Sequence, residues 1–191
     1  MFGFASVRSR LRHTARQLYG SSVTASRAPE FYVSCGVPDT AEGRFEMLIL
    51  HLFLVQERLK AAGEAGAGVG RALAEEFVAE MDNALREMGV GDMGIPRRVK
   101  QAAEAYNGRL IAYEKAAAEA DLAALQAALS RNVYAGTAPE FGPGTLLSYV
   151  RAAREAVRAQ STDAIVNGVI AFPAPPASAG PQDSRVERGR S

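Results

Sequence analysis

The chain has 191 residues, a formal net charge of +1 and 48% apolar residues. This length suits one domain with a real core, and the near-neutral balance excludes a polyanion binder that works by bulk charge. Trp is absent, and a lone cysteine, Cys35, excludes an internal disulfide and fits a reducing compartment.

Residues 4–19 predict an amphipathic helix. At 100° per residue, Phe4, Val7, Leu11, Ala15 and Leu18 fall on one stripe. Arg8, Arg12 and Arg16 form an i,i+4 row along its edge, and the first 29 residues hold five Arg and no acid. Three readings stay open. The helix lies on an anionic membrane surface, with Phe4, Val7 and Leu11 in the interface and Arg8, Arg12 and Arg16 on headgroups. It is a mitochondrial transit peptide, which shares this composition. Or it packs its stripe on the domain. The arginines break the apolar region that a secretory signal needs. The longest apolar run, residues 47–55 interrupted by His51, falls short of the roughly 18–20 residues of a membrane span.

Residues 20–39 read as a partly ordered connection. A helix is expected from Asp39 to about Ala62, with Asp39 and Glu42 as a capping box. Its wide apolar face, including Phe45, Leu48, Ile49, Leu52 and Phe53, predicts a place near the domain centre. Ala61–Gly70 reads as a Gly/Ala loop. The next helix spans about 71–88, and Gly89 fits the positive-φ position after it. Pro96 starts another, because its missing N–H would be unpaired anyway. Val99, Ala103, Tyr106, Leu110 and Tyr113 line its inner face. Further helices are expected at about 119–131 and 145–160, with a short turn at 162–170. The expected fold is all-α: a single compact domain of about six helices with a flexible C-terminal tail. Residues 1–19 form the basic helix, 20–172 the helical domain, and 173–191 a Pro-rich segment too poor in apolar residues to order.

No residue set assembles covalent or metal chemistry. Gly66, Gly68 and Gly70 lack the remaining parts of a phosphate cradle and follow a helix rather than a strand. His51 sits in an apolar run and reads as a core histidine with a hydrogen-bonded ring. Cys35 reads as an inert thiol. Glu75, Glu76, Glu80 and Asp82 lie off the apolar stripe of their helix and read as a solvated face. The expectation is a protein that is not an enzyme and needs no cofactor or metal. The turn from Gly89 to Arg98 carries the functional weight. Val90, Met93 and Ile95 are apolar residues in a short loop, and Asp92 lies close to Arg97, Arg98 and Lys100. Arg98 and Arg109 flank the inner face of the helix begun at Pro96, while Arg97 points away. The plain reading is a helix–helix corner with solvated charges. The sharper one is a partner-docking rim at Val90, Asp92, Met93, Ile95, Arg97, Arg98, Lys100 and Arg109.

Three segments carry a resemblance: GVPDTAEGRFEMLILHLFLV at 36–55, MDNALREMGVGDMGIPRRVKQAAEAYNGR at 81–109, and Ala112-Tyr113-Glu114. Asn167-Gly168 and Phe172 to Pro175 add to it more weakly. Together, over roughly residues 18–172, they resemble the ubiquinol–cytochrome c chaperone family, in a bacterial form. That resemblance implies an all-helical, non-enzymatic assembly factor for respiratory complex III. Its implied partner is cytochrome b or a complex III assembly intermediate. Mitochondrial relatives act with a small partner protein near the ribosome exit. The implied location is cytoplasmic, peripheral at the inner face of the bacterial cytoplasmic membrane, or the matrix side in a mitochondrion. The resemblance leaves little room for a long presequence. The competing reading is a helical nucleic-acid-binding regulator, since the basic first helix and the turn before Pro96 allow a helix-turn-helix. Near-neutral charge and the acids of the 71–88 helix weigh against it, and no nucleic-acid partner is expected.

Overall fold

The computed structural model describes the backbone of residues 2–119 and 122–176, and side chains from Ser6 onward in those segments. The expected disorder at 177–191 and the side chain of Phe4 lie outside them. Eight helices and no strand occur among the described residues: α1 (Phe2–Ser26), α2 (Pro29–Val33), α3 (Ala41–Ala61), α4 (Glu64–Glu87), α5 (Ile95–Ala118), α6 (Leu122–Val133), α7 (Gly142–Ala159) and α8 (Thr162–Val166).

α3 is the central element because its apolar residues surround the whole helix axis, and a helix apolar all round must be buried all round. Every side chain from Met47 to Val55 is buried. Met47, Leu50, Phe53 and Leu54 face one core cluster, shared with α2, α5, α6 and α7. Leu48, Ile49, Leu52, Val55 and Leu59 face a second, shared with α1, α4 and α8.

His51 joins the layers. Its Nδ1 lies 2.8 Å from the Met47 carbonyl and its Nε2 2.8 Å from the Tyr149 hydroxyl of α7. A carbonyl only accepts, so Nδ1 carries the proton and Nε2 accepts from Tyr149. The ring also meets Phe172 edge-on at 5.0 Å, which seats the segment after α8. Burial lowers the His51 pKa to about 4, against the raising effect of the Met47 carbonyl. The core-histidine expectation holds.

Several boundaries differ from expectation. α1 continues to Ser26, and α2 occupies part of the expected connection. Thr40, not Asp39, caps α3: its hydroxyl accepts from the Gly43 N–H at 3.1 Å, while Asp39 pairs with Arg44. The expected Gly/Ala loop is mostly helix, since α4 starts at Glu64. Packing explains these helical glycines. A Cβ on Gly66 would stand 2.0 Å from the Leu59 carbonyl oxygen, so only Gly lets α4 settle this close to α3. That gain offsets the roughly 1 kcal/mol that Gly costs in a helix interior. α4 closes as expected, with Gly89 at φ +76°.

Candidate functional site

The turn between α4 and α5 brings together most of the expected rim. Met93 is 98% exposed and Met88 71% exposed, while Val90 is half-buried. Arg97, Arg98 and Lys100 are exposed on the first turns of α5. Asp92 does not pair with them; it takes Arg86 of α4 at 3.1 Å, and Arg86 also holds Asp82 at 2.7 Å. Lys100 lies 3.8 Å from Glu104. The cations at 97 and 98 are therefore left facing solvent beside two exposed methionines.

Two expected rim members are corrected. Ile95 is 1% exposed, because it opens α5 with its side chain turned into the domain. Arg109 lies eleven residues along α5 from Arg98, about 16 Å at helical rise. It forms an ion pair with Glu46 of α3, with Nη2 2.8 Å from a carboxylate oxygen. The Glu46 hydrogen bond, then burial in the lowering sense, then the Glu46 charge set the Arg109 pKa, which is raised on balance. Arg109 thus ties α5 to α3.

The basic stripe of α1 divides. Ala15 and Leu18 are fully buried, and Leu11 packs against the α1–α3–α4 cluster. Arg16 donates to Glu76 of α4 at 3.0 Å. Glu76 is therefore a buried ion-pair partner under α1, not part of a solvated face. Arg8 and Arg12 stay exposed, and Val7 is 44% exposed. Cys35 is buried, and burial pushes its thiol up to about 11, which suits an inert sulfur. Among the described residues no cluster of His, Cys, Asp and Glu could hold a metal, and no helix is long and apolar enough to cross a membrane.

Sequence reasoning missed a groove of about 710 Å³ beside α3, between the first half of α4 and the second half of α5. Phe53, Leu59, Ala67, Ala74 and Leu110 give it apolar walls. Gln56 spans its floor, donating to the Gly70 carbonyl at 2.9 Å and the Tyr106 hydroxyl at 3.0 Å. Burial raises the Tyr106 pKa, partly countered by that bond. One end is charged. Glu57 accepts from Arg154 and Arg158, each at 2.7 Å, and Lys60 pairs with Glu114. Burial acts most strongly on Glu57 and raises its pKa, but the two arginines outweigh it and the net shift is downward. The groove exists because α4 sinks onto α3 at Gly66, while Lys60–Glu114 and Arg109–Glu46 fix α5 at its own distance.

The described residues form an all-helical domain, and the family it matches is a chaperone family rather than an enzyme family. Residues 33–172 match the family described as Ubiquinol-cytochrome C chaperone. The chain belongs to that family. It is similar to the crystal structure of the Cbp3 homolog from Brucella abortus, with 35% identity and a TM-score of 0.77, covering 90% of this chain and 94% of that one. It is 23% identical over 124 residues to ubiquinol-cytochrome-c reductase complex assembly factor 1 of Xenopus laevis. That match covers 65% of this chain and 62% of the frog protein. The mouse protein of the same description, Mus musculus, is 23% identical over 106 residues, 56% of this chain and 36% of the mouse protein. The chain thus spans less than two thirds of the length of these curated relatives.

Proposed function

We propose that the chain promotes assembly of the ubiquinol–cytochrome c reductase complex by binding cytochrome b or an early intermediate that contains it. The match over residues 33–172 carries this reading, because it takes in the whole methionine turn and both helices that present it. The turn supplies suitable chemistry. Met93 and Met88 are flexible, polarizable side chains that adapt to irregular apolar partners. Val90 adds apolar surface, and Asp92, Arg97, Arg98 and Lys100 surround them with charge that sets orientation and speeds encounter. The place of action is the inner face of a bacterial cytoplasmic membrane, or the matrix side in a mitochondrion. The basic start of α1, with Val7, Arg8 and Arg12 outermost, contacts the anionic surface there.

The test deletes the gene and measures b-type haem and assembled complex in membranes. Loss of both, restored by the wild-type chain, supports the role; normal levels reject it. An Arg97→Glu/Arg98→Glu chain should keep its melting temperature, since both residues are exposed. It should also recover markedly less cytochrome b on co-purification. Undiminished recovery with the folded variant removes the turn from the client site.

A further inference from the structure

We propose that the groove between α4 and α5 binds a long-chain fatty acid. Its carboxylate lies at the Arg154–Arg158 end and its aliphatic chain runs toward Tyr106.

Shape admits an extended chain laid lengthwise. The wall from Gly63 to Ala74 is eleven helical steps, about 16 Å at helical rise. The groove has a volume of about 710 Å³. It lies within the size range of small-molecule sites, with the usual apolar lining and few polar groups.

Charge then selects the head. Lys60 and Glu114 cancel, and Glu57 is shared by two arginines, so that end carries a surplus cation. Arg154 is also held by the Ala117 carbonyl, while Arg158 is 54% exposed at that mouth. The opposite end offers Leu110, Ala74 and the Phe53 ring, with Gln56 and Tyr106 already satisfying each other. A cationic mouth over an apolar channel complements an anionic head on an aliphatic chain, and repels a cationic amphiphile of equal length.

Position supplies the source. The Leu11 side chain lies over Gly68, where a Cβ would meet it at 3.4 Å, and Arg16 holds Glu76, so α1 runs parallel to α4. The arginine-rich start of α1 therefore stands at the same end of the domain as the first turns of α4, the end at which the charged mouth lies. This inference is independent of the client role at the methionine turn, which lies at the other end of α4.

The experiment titrates the full chain with cis-parinaric acid, a fluorescent fatty acid, and displaces it with palmitate. Saturable one-to-one binding is expected. Methyl palmitate and hexadecyltrimethylammonium should bind at least tenfold more weakly. Arg158→Gln should weaken palmitate at least tenfold while leaving the melting curve two-state. Ala67→Trp should fill the channel and abolish binding. Should that variant fail to fold, backbone amide shifts at Ala67, Ala74 and Leu110 on palmitate addition serve instead. Non-saturable uptake, equal affinity for the cationic amphiphile, or unchanged affinity in the arginine variant overturns the proposal. So does an apolar helical peptide that displaces parinarate where palmitate does not.

Discussion

Acid should destabilise this domain through a single buried ring. His51 is 0% exposed, and its pKa is lowered from 6.5 to about 4. Between those values the unfolded chain binds a proton at His51 that the folded chain does not, so stability falls as pH falls. The contribution is fully present above pH 6.5 and lost progressively toward pH 4. Between pH 7 and pH 5 the loss is about 2 kcal/mol, from the two pKa values and 1.36 kcal/mol per unit. For a chain of this size that is a melting-temperature drop of about 4–8 °C. Glu57 also has a lowered pKa, so its contribution is lost in the same direction, but at more acid pH as its carboxylate is protonated. Thermal melts at pH 7, 6 and 5, on the wild type and on His51→Gln, isolate the ring. Gln cannot titrate, so the variant should start less stable by about 1–3 kcal/mol, with Tyr149 poorly paired, and show little further loss. If wild type and variant lose the same melting temperature between pH 7 and 5, the buried neutral imidazole is not the source.

Two further changes probe the frame that holds the surfaces. Gly66→Ala should cost about 2–4 kcal/mol by denaturant titration, because the new methyl meets the Leu59 backbone carbonyl at 2.0 Å; a neutral effect would mean that α4 shifts freely on α3. Arg109→Ala should cost about 2 kcal/mol, less than a fully buried pair because Arg109 is a third exposed, while Glu46 is left without its partner; a loss under about 0.5 kcal/mol would return Arg109 to the candidate rim residues.

Periodicity made α3 legible as the central helix, since its apolar face is so wide. The core role of His51 followed from the same run. The start of α4 was not legible, because helical glycines and loop glycines look alike until a neighbouring backbone is known. Only the Leu59 carbonyl beneath Gly66 distinguishes them. Glu76 was misread for a related reason. The periodicity of α4 places it off the main stripe, but α1 covers it and supplies Arg16. At the turn, exposure of Met93 and Arg98 was readable from polarity and Gly content, whereas burial of Ile95 depends on the angle at which α5 enters. The groove left no trace in the sequence. It is a gap between helices, set by how deeply α4 sinks and how far the ion pairs hold α5.

The helix axes place the two proposed docking surfaces far apart. α4 has 24 residues, about 36 Å at helical rise. α1 runs parallel to it, so Val7 lies near the α4 N-terminus and Met93 beyond its C-terminus. If the α1 start rests on headgroups, the methionine turn stands roughly 30 Å away in water, outside the bilayer. A client segment held there is then an extramembrane loop or a chain not yet inserted. Environment-sensitive thiol labels at Val7→Cys and Met93→Cys test this arrangement, since Cys35 is fully buried and stays unlabelled in the folded protein. On anionic vesicles the label at position 7 should shift to the blue and the one at 93 should not. A shift at 93 alone reverses the orientation and brings the client surface to the bilayer. No shift at either position removes the membrane role of α1, leaving Arg8 and Arg12 as solvated charges on a helix whose apolar stripe is already spent on α3 and α4.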